Sequence, residues 1–62
     1  MTIADLPVRD LFKVYDLHFR TVIHSGFDSV HNPLPPEIAS LPVLGLFAVD
    51  DVLYIYTEVT GK

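Results

Sequence analysis

The run Val8-Arg9-Asp10-Leu11-Phe12-Lys13-Val14-Tyr15-Asp16-Leu17-His18-Phe19-Arg20-Thr21-Val22-Ile23-His24 can be wound as a helix or laid out as strand, and the architecture follows from that choice. Val8, Leu11, Phe12, Tyr15, Phe19, Val22 and Ile23 recur at i, i+3, i+4 and i+7. At about 100° per residue they fall within an arc of roughly 120°, with Arg9, Lys13, Asp16, Arg20 and His24 on the other side. Termini suited to a helix flank the run. Asp5 is placed as an N-cap and Pro7 lies in the first turn, where its missing N–H costs nothing. Gly26 is placed for a left-handed C′ position, with Phe27 beyond it against Val22. Asp16 and Arg20 would pair across one turn. A strand also explains part of the run, because Tyr15, Leu17, Phe19, Thr21 and Ile23 alternate with Asp16, His18 and Arg20. The helix covers more residues and has both ends marked, so the expectation is a helix over about 6–25.

Downstream, Phe27-Asp-Ser-Val-His-Asn-Pro-Leu-Pro-Pro36 reads as an irregular connection, since Pro33, Pro35 and Pro36 prevent regular pairing. Pro36 to Leu41 suits one helical turn, ended by Pro42. Residues 43–49 and 52–59 are rich in β-branched and aromatic side chains and flank Asp50-Asp51, the pattern of an antiparallel hairpin. A two-residue turn sets Val49 opposite Val52, Phe47 opposite Tyr54, and Gly45 opposite Tyr56, whose ring would cover the glycine. Thr60-Gly61-Lys62 is expected to fray. The expected fold class is therefore α+β in a single small domain, 1–62: helix, Pro-rich connection, C-terminal β-hairpin.

Alternation gives the hairpin two apolar faces. One carries Leu44, Leu46, Ala48, Leu53, Ile55 and Val59; the other carries Val43, Phe47, Val49, Val52, Tyr54 and Tyr56. One helix covers only one side of a ribbon, and the aliphatic side suits the stripe of Phe12, Tyr15, Phe19 and Val22. Val14 and Leu17 are left on the outer side of that helix. Either segment 27–42 folds over the aromatic face with Phe27, Val30, Leu34, Ile38 and Leu41, or dimerisation or a partner's strand completes the sheet. The candidate partner-binding residues are Phe47, Val49, Val52, Tyr54, Tyr56, Val14 and Leu17.

Composition narrows the function classes. Half of the 62 residues are apolar, with three Tyr, four Phe, no Cys and no Trp. That excludes a disordered chain, a disulfide scaffold and thiolate chemistry. Eight acids face four bases, and residues 21–61 hold five acids with no Lys or Arg. Neither nucleic acid nor an anionic membrane suits such a chain. The start of the chain lacks the pattern of a signal peptide and no run is long enough to span a bilayer, so a cytoplasmic protein is expected.

Catalytic signals are absent. His24, Asp28 and His31 could converge around Gly26, but His18 and His24 fall about 120° apart on a helix, and no metal or cofactor is expected. Ser25, Ser29 and Ser40 lack the setting of a nucleophile. Asp50 and Asp51 would point apart into water, and three glycines make no phosphate-cradling loop. Leu34 to Leu46 resembles part of a leucine-rich repeat through Leu41, Leu44 and Leu46. Val49 stands where such a repeat places Asn, and with no second copy a repeat fold is not expected.

The function expected is a small acidic protein–protein interaction module, not an enzyme: a subunit, an adaptor or an inhibitor, in size like compact phage or plasmid proteins. Its partner would be itself, as a homodimer, or another protein, with no small-molecule substrate. The alternative is an antitoxin, regulator or mimic that neutralises a basic partner through acidic residues 28–58. A metal-dependent enzyme built on His24, Asp28 and His31 comes last.

Overall fold

In the computed structural model, which describes residues 1–59, the stretch that suited a helix is a β-hairpin. Strand β1 spans Leu11–Asp16 and strand β2 spans Thr21–Phe27, paired antiparallel from Leu11 opposite Phe27 to Asp16 opposite Thr21. The chain reverses through Leu17-His18-Phe19-Arg20, with Arg20 at φ 58°. Asp16 promotes that reversal: its carboxylate accepts the backbone N–H of His18 at 3.1 Å and of Phe19 at 3.2 Å. An Asp side chain that captures the next N–H groups offers the backbone an alternative to helical bonding. Val14, Thr21, Val22 and Ile23 are β-branched and fit the pleat.

This overturns the α+β expectation. No helix occupies about 6–25, and the helical content of the described residues is a 3-10 turn at Ile3–Asp5 and a four-residue helix α1 at Pro36–Ala39. The proposed helix termini have other roles. Asp5 accepts the Thr2 N–H at 2.9 Å within the short turn. Gly26 lies in β2 opposite Phe12, with no positive φ. A Cβ at Gly26 would approach Phe12 Cζ to 3.0 Å, so the glycine leaves room for that ring. The Asp16–Arg20 ion pair does not form; the one side-chain ion pair among the described residues is Asp28 with His31.

Strand β3, Gly45–Val49, and strand β4, Val52–Thr57, form the second hairpin. Its register sets Val49 opposite Val52, Phe47 opposite Tyr54 and Gly45 opposite Tyr56. Asp50 and Asp51 both have positive φ, 50° and 66°, the type I′ geometry whose twist matches that of the strands. The hairpins join through their inner strands: β1 runs parallel to β4, with Val14 beside Ile55, and the sheet order is β2-β1-β4-β3. A bulge at Ile23 interrupts β2, since Val14 pairs with His24 but Tyr15 pairs with Val22. Thr60–Lys62, the expected frayed end, lie outside the described residues.

One face of this mixed sheet carries the core. Phe12, Val14 and Ile55 are buried with Ile3 and Val8, and Leu34, Ile38, Leu41, Val43 and Leu53 pack around them. The cover comes from the N-terminal arm and the Pro-rich connection, which are stitched together. The Ile3 N–H donates to the Leu41 carbonyl at 2.9 Å, and the Ser29 N–H donates to the Val8 carbonyl at 2.8 Å. Segment 28–44 therefore covers the aliphatic face that a helix was expected to take. The thinnest dimension is 17 Å, room for a sheet and one covering layer spaced about 10 Å apart.

Two buried polar side chains sit in the same layer. Asp16 pairs with Thr57 across β1 and β4, and both are fully buried. Asp16 also accepts the Val59 N–H at 2.9 Å, so a single carboxylate fastens the β1–β2 turn and the end of β4. The Thr57 hydroxyl has no hydrogen-bond partner among the described residues.

Candidate functional site

Nothing among the described residues covers the opposite face of the sheet. Because Phe12, Val14 and Asp16 point into the core, Leu11, Lys13 and Tyr15 point out. Pairing carries that alternation across the sheet: Lys13 lies beside Tyr54, and Tyr54 beside Phe47; Tyr15 lies beside Tyr56, and Tyr56 beside Gly45. On β2, Phe27 is level with Leu11, and Val22 with Tyr15. Leu11, Val22, Phe27, Phe47 and Val49 are all exposed, Phe47 at 56% of its surface.

Tyr15, Tyr54 and Tyr56 are half-buried on this face, and two of them lean on each other. The Tyr15 and Tyr56 rings are 5.7 Å apart between centroids and tilted by 58°. The Tyr56 ring also lies over Gly45, where a Cβ would meet Cδ2 at 3.5 Å. Such rings offer rigid contact area that costs little side-chain entropy on binding. Lys13, between Tyr54 and Ser25, is the one cation among the described residues of this face.

Of the residues expected to bind a partner, Phe47, Val49, Val52, Tyr54 and Tyr56 share this face. Val14 does not: it is 0% exposed on the other side of β1, because a strand alternates its side chains where a helix would have placed Val14 outward. Leu17 is exposed in the β1–β2 turn and outside the face. Sequence reasoning missed Leu11, Lys13, Tyr15, Val22 and Phe27. The signal that finds them is the period-2 pattern of Leu11–Asp16.

Other candidate sites are poorer. His31 Nδ1 and Asp28 Oδ2 are 2.7 Å apart. That hydrogen bond, outweighing the opposing effect of burial, holds the Asp28 carboxyl below the usual range. His24 sits in β2 with its ring 6.1 Å from that of Phe12, and no three His, Cys, Asp or Glu side chains among the described residues converge as metal ligands. A cleft of about 480 Å³ lies between the N-terminal arm and the connection, lined by Ile3, Leu6, Pro7, Val30 and Leu34. Its polar side chains, Asp5 and Ser29, are already bonded to Thr2 and to Leu6 and Val8. The acids of segment 28–58 are spread over separate places: Asp28 after β2, Glu37 on α1, Asp50 and Asp51 at the second turn, Glu58 after β4.

No known protein family, curated protein or solved structure matches the chain. No helix among the described residues is long and apolar enough to cross a membrane.

Proposed function

We propose that the chain is a small protein–protein interaction module, not an enzyme, and that it binds through the open face of its sheet. The observation that carries this reading is the alignment of apolar and aromatic side chains from all four strands on one uncovered face, from Phe27 and Leu11 through Tyr15, Tyr56 and Tyr54 to Phe47 and Val49. A contiguous apolar patch of this kind marks an interface. The roles that suit it are subunit, adaptor or inhibitor, acting in the cytoplasm.

Apolar-dye fluorescence tests the reading, with a Phe47→Glu variant as comparison. The native chain is expected to bind the dye. The variant should lose most of that signal while its far-ultraviolet circular dichroism stays that of a sheet, since a substitution at an exposed position changes stability by only about 0.5 kcal/mol. A native chain that binds no dye contradicts the proposal. Loss of all structure in the variant contradicts it equally, because Phe47 would then belong to a core.

A further inference from the structure

We propose that the free edge of β3 pairs with the β3 edge of a second copy, antiparallel about a two-fold axis at Phe47, to give a continuous eight-stranded sheet. The two edges of the sheet differ in their protection. The β2 edge carries the bulge at Ile23 and the polar residues Thr21, His24 and Ser25, devices that discourage pairing. The β3 edge, Gly-Leu-Phe-Ala-Val, has no charge, no proline and no bulge within it. It is also exposed on both faces: Leu46 at 51% on the core side and Phe47 at 56% on the open side.

The backbone of β3 is in phase for this pairing. In a two-residue hairpin the pair that flanks the turn is hydrogen-bonded, and such pairs alternate along the ladder. Gly45, Phe47 and Val49 therefore direct their N–H and C=O groups to β4, while Leu46 and Ala48 direct theirs outward. With the axis at Phe47, Leu46 meets Ala48 of the second copy, and Ala48 meets its Leu46. Both pairs are of the hydrogen-bonded type, so all the outward groups of the strand are satisfied.

Side chains and charges agree with the same register. Leu46 faces an alanine and Val49 faces a glycine, large against small, while the two Phe47 rings meet at the closely spaced pair. The row Tyr54-Phe47 continues into Phe47-Tyr54 of the second copy. Asp50 and Asp51 of the two chains end up at opposite ends of the junction, whereas a parallel pairing would bring all four together. A stable interface takes about 800 Å² from each partner, close to a fifth of the 4246 Å² that the chain exposes. Exposed Leu44, Leu46, Phe47 and Val49 widen the edge toward that area. The edge pairing is independent of whether the open face binds a target.

Light-scattering mass at micromolar concentration, compared for the native chain and an Ala48→Pro variant, is the test. The Ala48 N–H is not needed within the hairpin, and proline is tolerated on an edge strand whose N–H faces solvent. The native chain is expected as a dimer and the variant as a monomer with unchanged circular dichroism, its dimer dissociation constant raised by about a hundredfold or more. An Ala48→Lys variant, which places a charge at the junction, is expected to give the same result and decides the matter if the proline variant unfolds. A native monomer overturns the proposal. A dimer that survives both Ala48 substitutions but is broken by Tyr54→Glu also overturns it, and leaves the open-face reading standing.

Discussion

The Ile55→Ala variant loses about 2–5 kcal/mol of stability and is largely unfolded at physiological temperature. Ile55 is fully buried: it lies on inner strand β4 beside Val14, packed with Ile3, Val8 and Phe12. Removing its branched side chain leaves a cavity that a close-packed core closes only in part. A domain of this size starts near the low end of the usual 5–15 kcal/mol, so a loss of that order consumes most of it. The informative comparison is Leu46→Ala. Leu46 is the direct neighbour of Ile55 across the hairpin and on the same face, but it is half exposed at the β3 edge. In the Ala48→Pro background, where the β3 edge is free, its truncation is expected to change stability by only about 0.5 kcal/mol. Urea titrations of both variants read the difference, and equal losses would mean that the cover extends over β3.

Asp16→Asn is expected to lower the melting temperature by on the order of ten degrees at neutral pH. Burial pushes the Asp16 carboxyl up, but the N–H bonds from Val59, His18 and Phe19, with the nearby His18 side chain, outweigh it and hold the group below its ordinary 3.8. A carboxylate whose folded value is depressed contributes stability above its unfolded value, and that contribution is lost as pH falls through the folded one. The asparagine amide accepts through one oxygen only and turns a second donor toward the same N–H groups. The gap in melting temperature between native and Asp16→Asn chains therefore narrows as pH falls below 3.8. Asp28 titrates in the same acid range in both chains, so the difference between them isolates Asp16. A gap that persists unchanged into strong acid would show that Asp16 acts by shape and not as a charged acceptor.

The second hairpin was legible in the sequence because its signals are local: two β-rich runs about Asp50-Asp51 set both the turn and the register. The first was not. Phe12, Tyr15, Phe19 and Val22 satisfy a helical period, while Phe12 and Val14 satisfy a strand period, and periodicity alone does not separate the two. What separates them is tertiary: β1 pairs with β4, roughly forty residues away in sequence, and that pairing rewards the extended form. Pro7 and Gly26 resembled helix boundaries but serve an extended arm and the room beside Phe12. The open aromatic face was located from Phe47, Tyr54 and Tyr56, although the covering layer is the 28–44 connection and not a helix. Its continuation onto Leu11, Tyr15, Val22 and Phe27 required knowing that residues 11–27 fold as strands.

Relaxation of side-chain protons by a soluble paramagnetic probe tests the open sheet face most directly, because it reads period and exposure in one measurement. Strong relaxation is expected for Leu11, Val22 and Phe27, which lie on the open face away from the β3 edge, and protection for Phe12, Val14 and Ile55. Protection of Leu11, Val22 and Phe27, or a pattern along residues 8–24 that repeats every three to four residues, would contradict it.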